Sequence, residues 1–231
     1  MHRHNFIKSD KEGYEVCTDC GTYHSTMLAP PDNIYNEYWG DGTGRSTLEQ
    51  QVSNLTCNDD CGISKIDRVL QFVPKTGRNF LEIGCAPGEL LRQMLERNWD
   101  VYGIEPSPNY VEFICKHAPG ARIWCGYFPQ ITKELPDNSF SCIVTLDVFE
   151  HVENFNDFIM ELRRLLQPNA RAIIMSPIIY EDGLIKKTEF IPNEHAYIFT
   201  KKFLQEYLSE LFSEVKFTRW ICGHEMIILN K

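Results

Sequence analysis

The sequence predicts an α/β fold: a mostly parallel, doubly wound sheet with helices on both faces. Three observations carry this. From about residue 61 onward, short apolar runs alternate with segments of helical periodicity. The run Ser141 to Leu146 is apolar almost throughout, as a strand buried on both faces must be. The last two strand-like runs, 214–220 and 224–230, lie too close together for a crossover helix, so they are expected to pair antiparallel.

The elements follow in order. Ile63, Ile66, Val69, Leu70 and Val73 recur at helical spacing, and Pro74 ends that helix. Residues 79–83 read as a buried strand. After Gly88, the residues Leu90, Leu91, Met94 and Leu95 mark one face of a helix, and 101–104 is the second strand. Ser107 is an N-cap with Pro108 at the first helical position, and Tyr110, Val111, Phe113 and Ile114 form that helix's apolar face. Residues 121–125 and 141–146 are the third and fourth strands. Phe155, Phe158, Ile159, Leu162, Leu165 and Leu166 make an amphipathic helix ended by Pro168, and 170–175 is the fifth strand. Thr200 caps a helix whose face is Phe203, Leu204, Tyr207, Leu208, Leu211 and Phe212.

Composition narrows the function classes. At 231 residues and 43% hydrophobic, the chain suits one domain plus a small appendage. No run approaches the roughly 18 uninterrupted apolar residues of a membrane span. The start, Met1-His2-Arg3-His4, has no apolar run behind it, so no secretory signal is expected. Nine cysteines, an odd number and mostly single within apolar segments, argue for reduced thiols and a cytoplasmic setting. A net charge of −9 argues against nucleic acid as a generic partner, since such binding draws on Lys and Arg contacts to phosphate.

The chemistry is expected at Leu81-Glu82-Ile83-Gly84-Cys85-Ala86-Pro87-Gly88-Glu89-Leu90. This stretch spans a strand-to-helix junction at the carboxyl edge of the sheet, where open α/β folds bind ligands. Gly84 and Gly88 bracket the turn. Glu105 closes the next strand, where a carboxylate accepts both hydrogen bonds of a ribose diol. The spacing Gly84-x-x-x-Gly88 differs from the Gly-x-Gly-x-x-Gly that seats a dinucleotide's pyrophosphate, and Glu89 would repel that group. A nucleoside ligand carrying a sulfonium and an ammonium tolerates such carboxylates.

With these motifs on the page, the chain resembles the class I S-adenosylmethionine-dependent methyltransferases, in the small-molecule branch with an E-x-G-x-x-x-G motif and an EHV motif. The resemblance runs from about Lys65 to the C-terminus. It rests on LEIGCAPGEL (81–90), VYGIEPS (101–107), DNSFSCIVTLDVFEHV (137–152) and EHAYIFTKKFLQEYL (194–208). It implies a Rossmann-like seven-stranded sheet of order 3-2-1-4-5-7-6 with strand 7 antiparallel, and S-adenosyl-L-methionine as cofactor. By motif position, Glu82, Gly84, Cys85 and Gly88 shape the methionine side of the pocket. Glu105 holds the ribose hydroxyls, and Pro106 and Ser107 lie beside the adenine. Where the family often has an acid for the adenine amino group, this chain has Tyr127-Phe128, so stacking is expected instead. Leu146 and Asp147 face the methionine moiety. In the resembling family an aromatic run such as Tyr35, Tyr38 and Trp39 folds over the cofactor.

Methyl transfer is an in-line displacement that depends on positioning. A hydroxyl acceptor also needs a base. His151, just past strand 4 beside Asp147, and His195, in the loop after strand 5, are the candidates; each is otherwise read as a loop-fixing residue.

Residues 1–30 form a separate reading. Cys17-Thr18-Asp19-Cys20-Gly21 is a compact knuckle. If 3–7 and 13–17 form a hairpin, His2 and His4 project to one face and complete an N₂S₂ structural zinc site with Cys17 and Cys20, His24 competing as fourth ligand. Many members of the resembling branch carry a small zinc ribbon here, usually with four cysteines. Residues 31–60 read as a connector or lid, including Gly40-Asp41-Gly42-Thr43-Gly44, which no strand precedes; no metal is expected at Cys57 and Cys61. Residues 61–231 form the methyltransferase domain. The expected activity is methyl transfer to a small-molecule acceptor at O, N or C, such as a sugar or natural product. Two other functions compete: a nicotinamide-dependent oxidoreductase, and a non-catalytic binding module.

Overall fold

The computed structural model describes residues 4–28, 48–57, 63–180, 190–219 and 224–231. Five parallel strands form the centre: β4 (Asn79–Ile83), β5 (Asp100–Glu105), β6 (Arg122–Cys125), β7 (Phe140–Leu146) and β8 (Leu166–Ile179). β4 pairs with β5 and β7, β5 with β6, and β7 with β8, all parallel. β10 (Glu214–Arg219) and β11 (His224–Asn230) form an antiparallel hairpin, and β11 lies antiparallel on β8. The sheet thus runs β6-β5-β4-β7-β8-β11-β10.

Alternation along the strands sorts the core onto two faces. Leu81, Ile83, Ile143, Ile174 and Ile227 face α5 (Phe155–Leu165) and α6 (Lys201–Ser209). Phe80, Cys142, Val144, Ile173 and Met175 face α2 (Lys65–Leu70), α3 (Glu89–Glu96) and α4 (Pro108–His117). Helices on both sides leave the carboxyl edge of β4, β5 and β7 as the ligand edge of a doubly wound sheet. The caps are local chemistry. Ser107 accepts from the Tyr110 amide with Pro108 at the first helical position, and Thr200 accepts from the Phe203 amide.

Several boundaries differ from expectation. The helix read over 63–73 is regular only at Lys65–Leu70, capped by Ser64, and Ile63 is exposed. The segment read as a connector contains α1 (Leu48–Thr56), and 31–47 and 58–60 lie outside the described residues. β8 begins at Leu166, directly after α5, because Pro168 sits where the ladder with β7 shifts register between Phe140 and Cys142.

β9 (Tyr197–Thr200) was not expected, nor its partner β3 (Tyr23–Ser25). β1 (Phe6–Lys8) and β2 (Tyr14–Cys17) form the N-terminal hairpin, with Phe6 opposite Cys17. β2 pairs with β3, β3 with β9, and β9 with the end of β8. The N-terminal strands therefore continue the sheet instead of standing apart from it. No helix among the described residues is long and apolar enough to cross a membrane.

Candidate functional site

The turn from β4 into α3 is fixed by backbone geometry. Gly84 and Gly88 have φ of 69° and 85°, in the left-handed region that favours glycine. A Cβ at Gly84 would fall 2.4 Å from Cγ2 of Val148, so the loop and the segment after β7 touch directly. Across the turn, Glu105 at the end of β5 accepts from the Ala86 amide at 3.3 Å and the Ser107 amide at 2.9 Å. One carboxylate thus ties the glycine loop to the start of α4. A carboxylate has about four acceptor positions, so two remain for a diol.

Electrostatics mark the same place. Glu105 is 3% exposed, and burial pushes its carboxyl up to about 7 despite the two amide hydrogen bonds. Glu82 is also buried. Burial, then repulsion from Glu105, raises its carboxyl well above the ordinary range, and its Oε2 has no hydrogen-bond partner among the described residues. A buried acceptor without a partner is costly unless a ligand supplies the donor. Cys85 is buried behind the loop, its Sγ against Gly103, where a Cβ would come within 2.7 Å. Glu89 does not crowd this space. Burial opposes its charge, but hydrogen bonds from Arg92, Gln93 and His117 outweigh that and hold it down at about 2.

Pro106 and Ser107 follow Glu105, and the Pro106 carbonyl faces Cys125 Sγ at 3.8 Å. Tyr127 stays 36% exposed beyond β6, whereas Phe128 packs edge-on against Phe158, with ring centroids 4.8 Å apart. Tyr127 is therefore the more exposed of the two rings. Leu146 closes β7, and Asp147 follows with φ 53°. Its carboxylate pairs with the Lys65 ammonium at the start of α2. Tyr38 lies outside the described residues, as do Tyr35, Trp39 and His2.

Beyond Asp147, Glu150, His151 and His195 have polar atoms that all lie within 4.8 Å of one another. Glu150 is buried and accepts from Ser176 Oγ at 2.9 Å, and burial, then the charge of Asp147, pushes its carboxyl up to about 8. His151 Nδ1 lies 2.9 Å from the Glu194 carbonyl oxygen. A carbonyl only accepts, so Nδ1 carries the proton and Nε2 of the neutral ring is the basic atom. Burial pushes the ring's pKa below its ordinary value, which keeps it neutral. The His195 ring stands edge-on to it, centroids 4.8 Å apart.

Lys65 and Glu150 were not singled out from the sequence. The Lys65 pairing spans 82 residues, so no local pattern carries it. Glu150 was visible as the acid of the EHV motif, but its raised pKa comes from burial first and then from the charge of Asp147.

At the N-terminus, His4, Cys17 and Cys20 have ligand atoms within 4.8 Å of one another, with His4 Nδ1 3.4 Å from Cys20 Sγ. Gly21, at φ 74°, closes the knuckle with its amide on the Cys17 carbonyl. The structure does not bring His24 to them. His24 Nδ1 is 2.9 Å from Glu15, and its ring packs against Phe6 and Tyr197.

Residues 61–211 match a family model described as "Methyltransferase domain". A mitochondrial ubiquinone biosynthesis O-methyltransferase of Schizosaccharomyces pombe is 30% identical over 104 residues, which are 43% of this chain and 38% of that protein. Phosphoethanolamine N-methyltransferase 3 of Arabidopsis thaliana is 30% identical over 174 residues, 73% of this chain and 32% of that one. The chain thus spans well under half the length of these curated relatives. A crystal structure titled as a SAM-dependent methyltransferase from Archaeoglobus fulgidus superposes with TM-score 0.62 at 16% identity, covering 81% of this chain and 96% of that chain.

Proposed function

Because the chain belongs to the class I S-adenosylmethionine-dependent methyltransferase family, we propose that it transfers a methyl group from the sulfonium of S-adenosylmethionine to a small-molecule acceptor. The observation that carries this is the Glu105 carboxylate, buried and clipped to both Ala86 and Ser107, beside the unpartnered oxygen of Glu82. The spare acceptor positions of Glu105 suit the ribose hydroxyls, and Glu82 faces the methionine side with Gly84, Cys85 and Gly88. Tyr127 offers a ring to the adenine, beside Pro106, and Leu146 and Asp147 border the methionine.

The donor supplies an electrophilic methyl carbon; the chain's residues orient and deprotonate the acceptor. For a hydroxyl acceptor, oxygen forms the new bond to carbon as the carbon–sulfur bond breaks, and the hydroxyl proton passes to a base. His151 Nε2 suits that role, with its tautomer set by the Glu194 carbonyl. The neighbouring His195 and protonated Glu150 complete a polar acceptor wall. One relative is named for O-methylation and another for N-methylation, so the acceptor atom is read no further than O or N.

The test is calorimetry with S-adenosylmethionine and S-adenosylhomocysteine, alongside a nicotinamide dinucleotide. Micromolar binding of the first two and none of the third is expected. Absence of heat with both adenosyl ligands at millimolar concentration overturns the proposal.

We further read His4, Cys17 and Cys20, with a fourth ligand such as His2, as a structural zinc knuckle. Two buried thiols and an imidazole in mutual reach are a soft donor set of the kind that holds structural zinc.

A further inference from the structure

We propose that the N-terminal strands β1–β3 are a positioning element for the histidine pair, with Tyr14 as its central positioning residue; this rests on reading His151 and His195 as acceptor-side groups. The carbonyls along residues 191–196 have separate holders. The Ile191 carbonyl is used within the segment, accepting from the amides of Glu194 and His195. The Pro192 carbonyl accepts from Ser25 Oγ, and the Ala196 carbonyl accepts from the Ser25 amide. The His195 carbonyl accepts from the Tyr14 hydroxyl at 3.2 Å. The Glu194 carbonyl takes His151 Nδ1. Three of these five groups are therefore held by residues far away in sequence, on β2 and β3. Thr200 Oγ1, which also caps α6, adds a further tie by donating to the Cys20 carbonyl at 2.8 Å.

Adjacent carbonyls at Glu194 and His195 thus have different holders, one on the histidine and one on the hairpin. The His195 carbonyl belongs to the His195–Ala196 peptide, so releasing it loosens the segment one peptide away from the Glu194 carbonyl, whose own peptide keeps the His195 amide on the Ile191 carbonyl. The hairpin in this way steadies the segment whose Glu194 carbonyl sets which nitrogen of His151 is basic. Tyr14 is suited to the task. It is 4% exposed, and its ring is anchored edge-on to Phe190 and Tyr23, with centroids at 5.5 and 6.4 Å. Tyr14→Phe therefore removes the hydrogen bond and keeps the packing.

The experiment needs no acceptor. Protein labelled with ¹⁵N-histidine is compared as wild type, Tyr14→Phe and Thr26→Ala, with ring-nitrogen shifts and amide exchange over 194–198 as readouts. Among the described residues Thr26 bonds only to the Gly13 carbonyl, within the N-terminal strands, and serves as the control. Tyr14→Phe is expected to speed exchange about five-fold, the effect of one net hydrogen bond. It should also bring the two His151 ring shifts together as the fixed tautomer gives way to a mixture. Affinity for S-adenosylhomocysteine should stay within about two-fold. Thr26→Ala should change none of these. Unchanged exchange and ring shifts in Tyr14→Phe overturn the proposal. Should that variant not fold, Ser25→Ala decides by exchange over 192–196, where an unchanged rate is equally fatal. Failure of the wild type to bind S-adenosylhomocysteine would count against the methyltransferase reading, while the exchange and tautomer data would still judge the positioning role.

Discussion

Glu105→Gln separates the two things this carboxylate does. Moving its carboxyl from the ordinary 4.5 to about 7 weights the charged form in the folded protein by about 3 kcal/mol. The folded pKa is the higher one, so the free protein has its full stability from this group below about pH 4.5 and loses it as pH rises through about 7. Glutamine removes that loss. It also turns an amide NH₂ toward one of two backbone donors, Ala86 or Ser107, leaving a buried donor unpaired at about 1–3 kcal/mol. The variant should therefore be less stable than wild type at pH 4.5 and equal or more stable at pH 8. Urea melts of the ligand-free protein across that range read this directly. Donor binding moves the opposite way at high pH. Losing a charged acceptor for the ribose diol should weaken S-adenosylhomocysteine by about 1.5–3 kcal/mol, roughly ten- to 150-fold. Parallel pH–stability curves for the two proteins would refute the claim that this acid is buried at a cost.

Three further outcomes are expected. Gly84→Ala combines a left-handed φ with a 2.4 Å clash on Val148 and should lower stability by about 1–3 kcal/mol, with partial recovery in Gly84→Ala/Val148→Ala, read by denaturant melts. His151→Ala should lower turnover by about 10²–10⁴ once an acceptor is found, with calorimetric affinity for S-adenosylhomocysteine retained; full turnover removes the base assignment. Purified protein should carry about one zinc per chain by elemental analysis, and Cys17→Ser should lose it and melt at lower temperature; less than about a tenth of an equivalent in the wild type ends the zinc reading.

What was legible from sequence was what is local. The glycine turn at 84–88, the Ser107 and Thr200 caps and the strand alternation each depend on residues within a few positions. The β1–β2 hairpin was legible for the same reason, because its turn is short. Pairings across the chain were not. β3 and β9 have three and four residues, too few for a periodic signal, and they are strands because each meets the other. Tyr14 and His195 are separated by 181 positions, and Lys65 and Asp147 by 82. His24 looked like a ligand because it lies close to Cys20 in sequence, but the strand direction carries its ring to Glu15 and Tyr197. The acid at 82 was visible as a motif letter, and only the structure leaves its oxygen without a partner among the described residues.

That last fact bears on the choice of cofactor more strongly than glycine spacing does. Glu82 and Glu105 are buried side by side, and each is pushed toward its neutral form, Glu82 by burial and then by repulsion from Glu105. The free protein therefore disfavours charge on either acid, where it would be poorly solvated and self-repelling. A ligand bringing positive charge to this edge relieves the strain, and one bringing a pyrophosphate adds to it. For a unit charge at about 6 Å and an effective dielectric of about 20, either effect is about 3 kcal/mol. Relief of the same repulsion drives both acids toward ionisation, so donor binding at neutral pH should release protons. The measured heat should then vary with the ionisation enthalpy of the buffer. Heats identical in phosphate and Tris would mean that the ligand's positive charge settles away from Glu82 and Glu105.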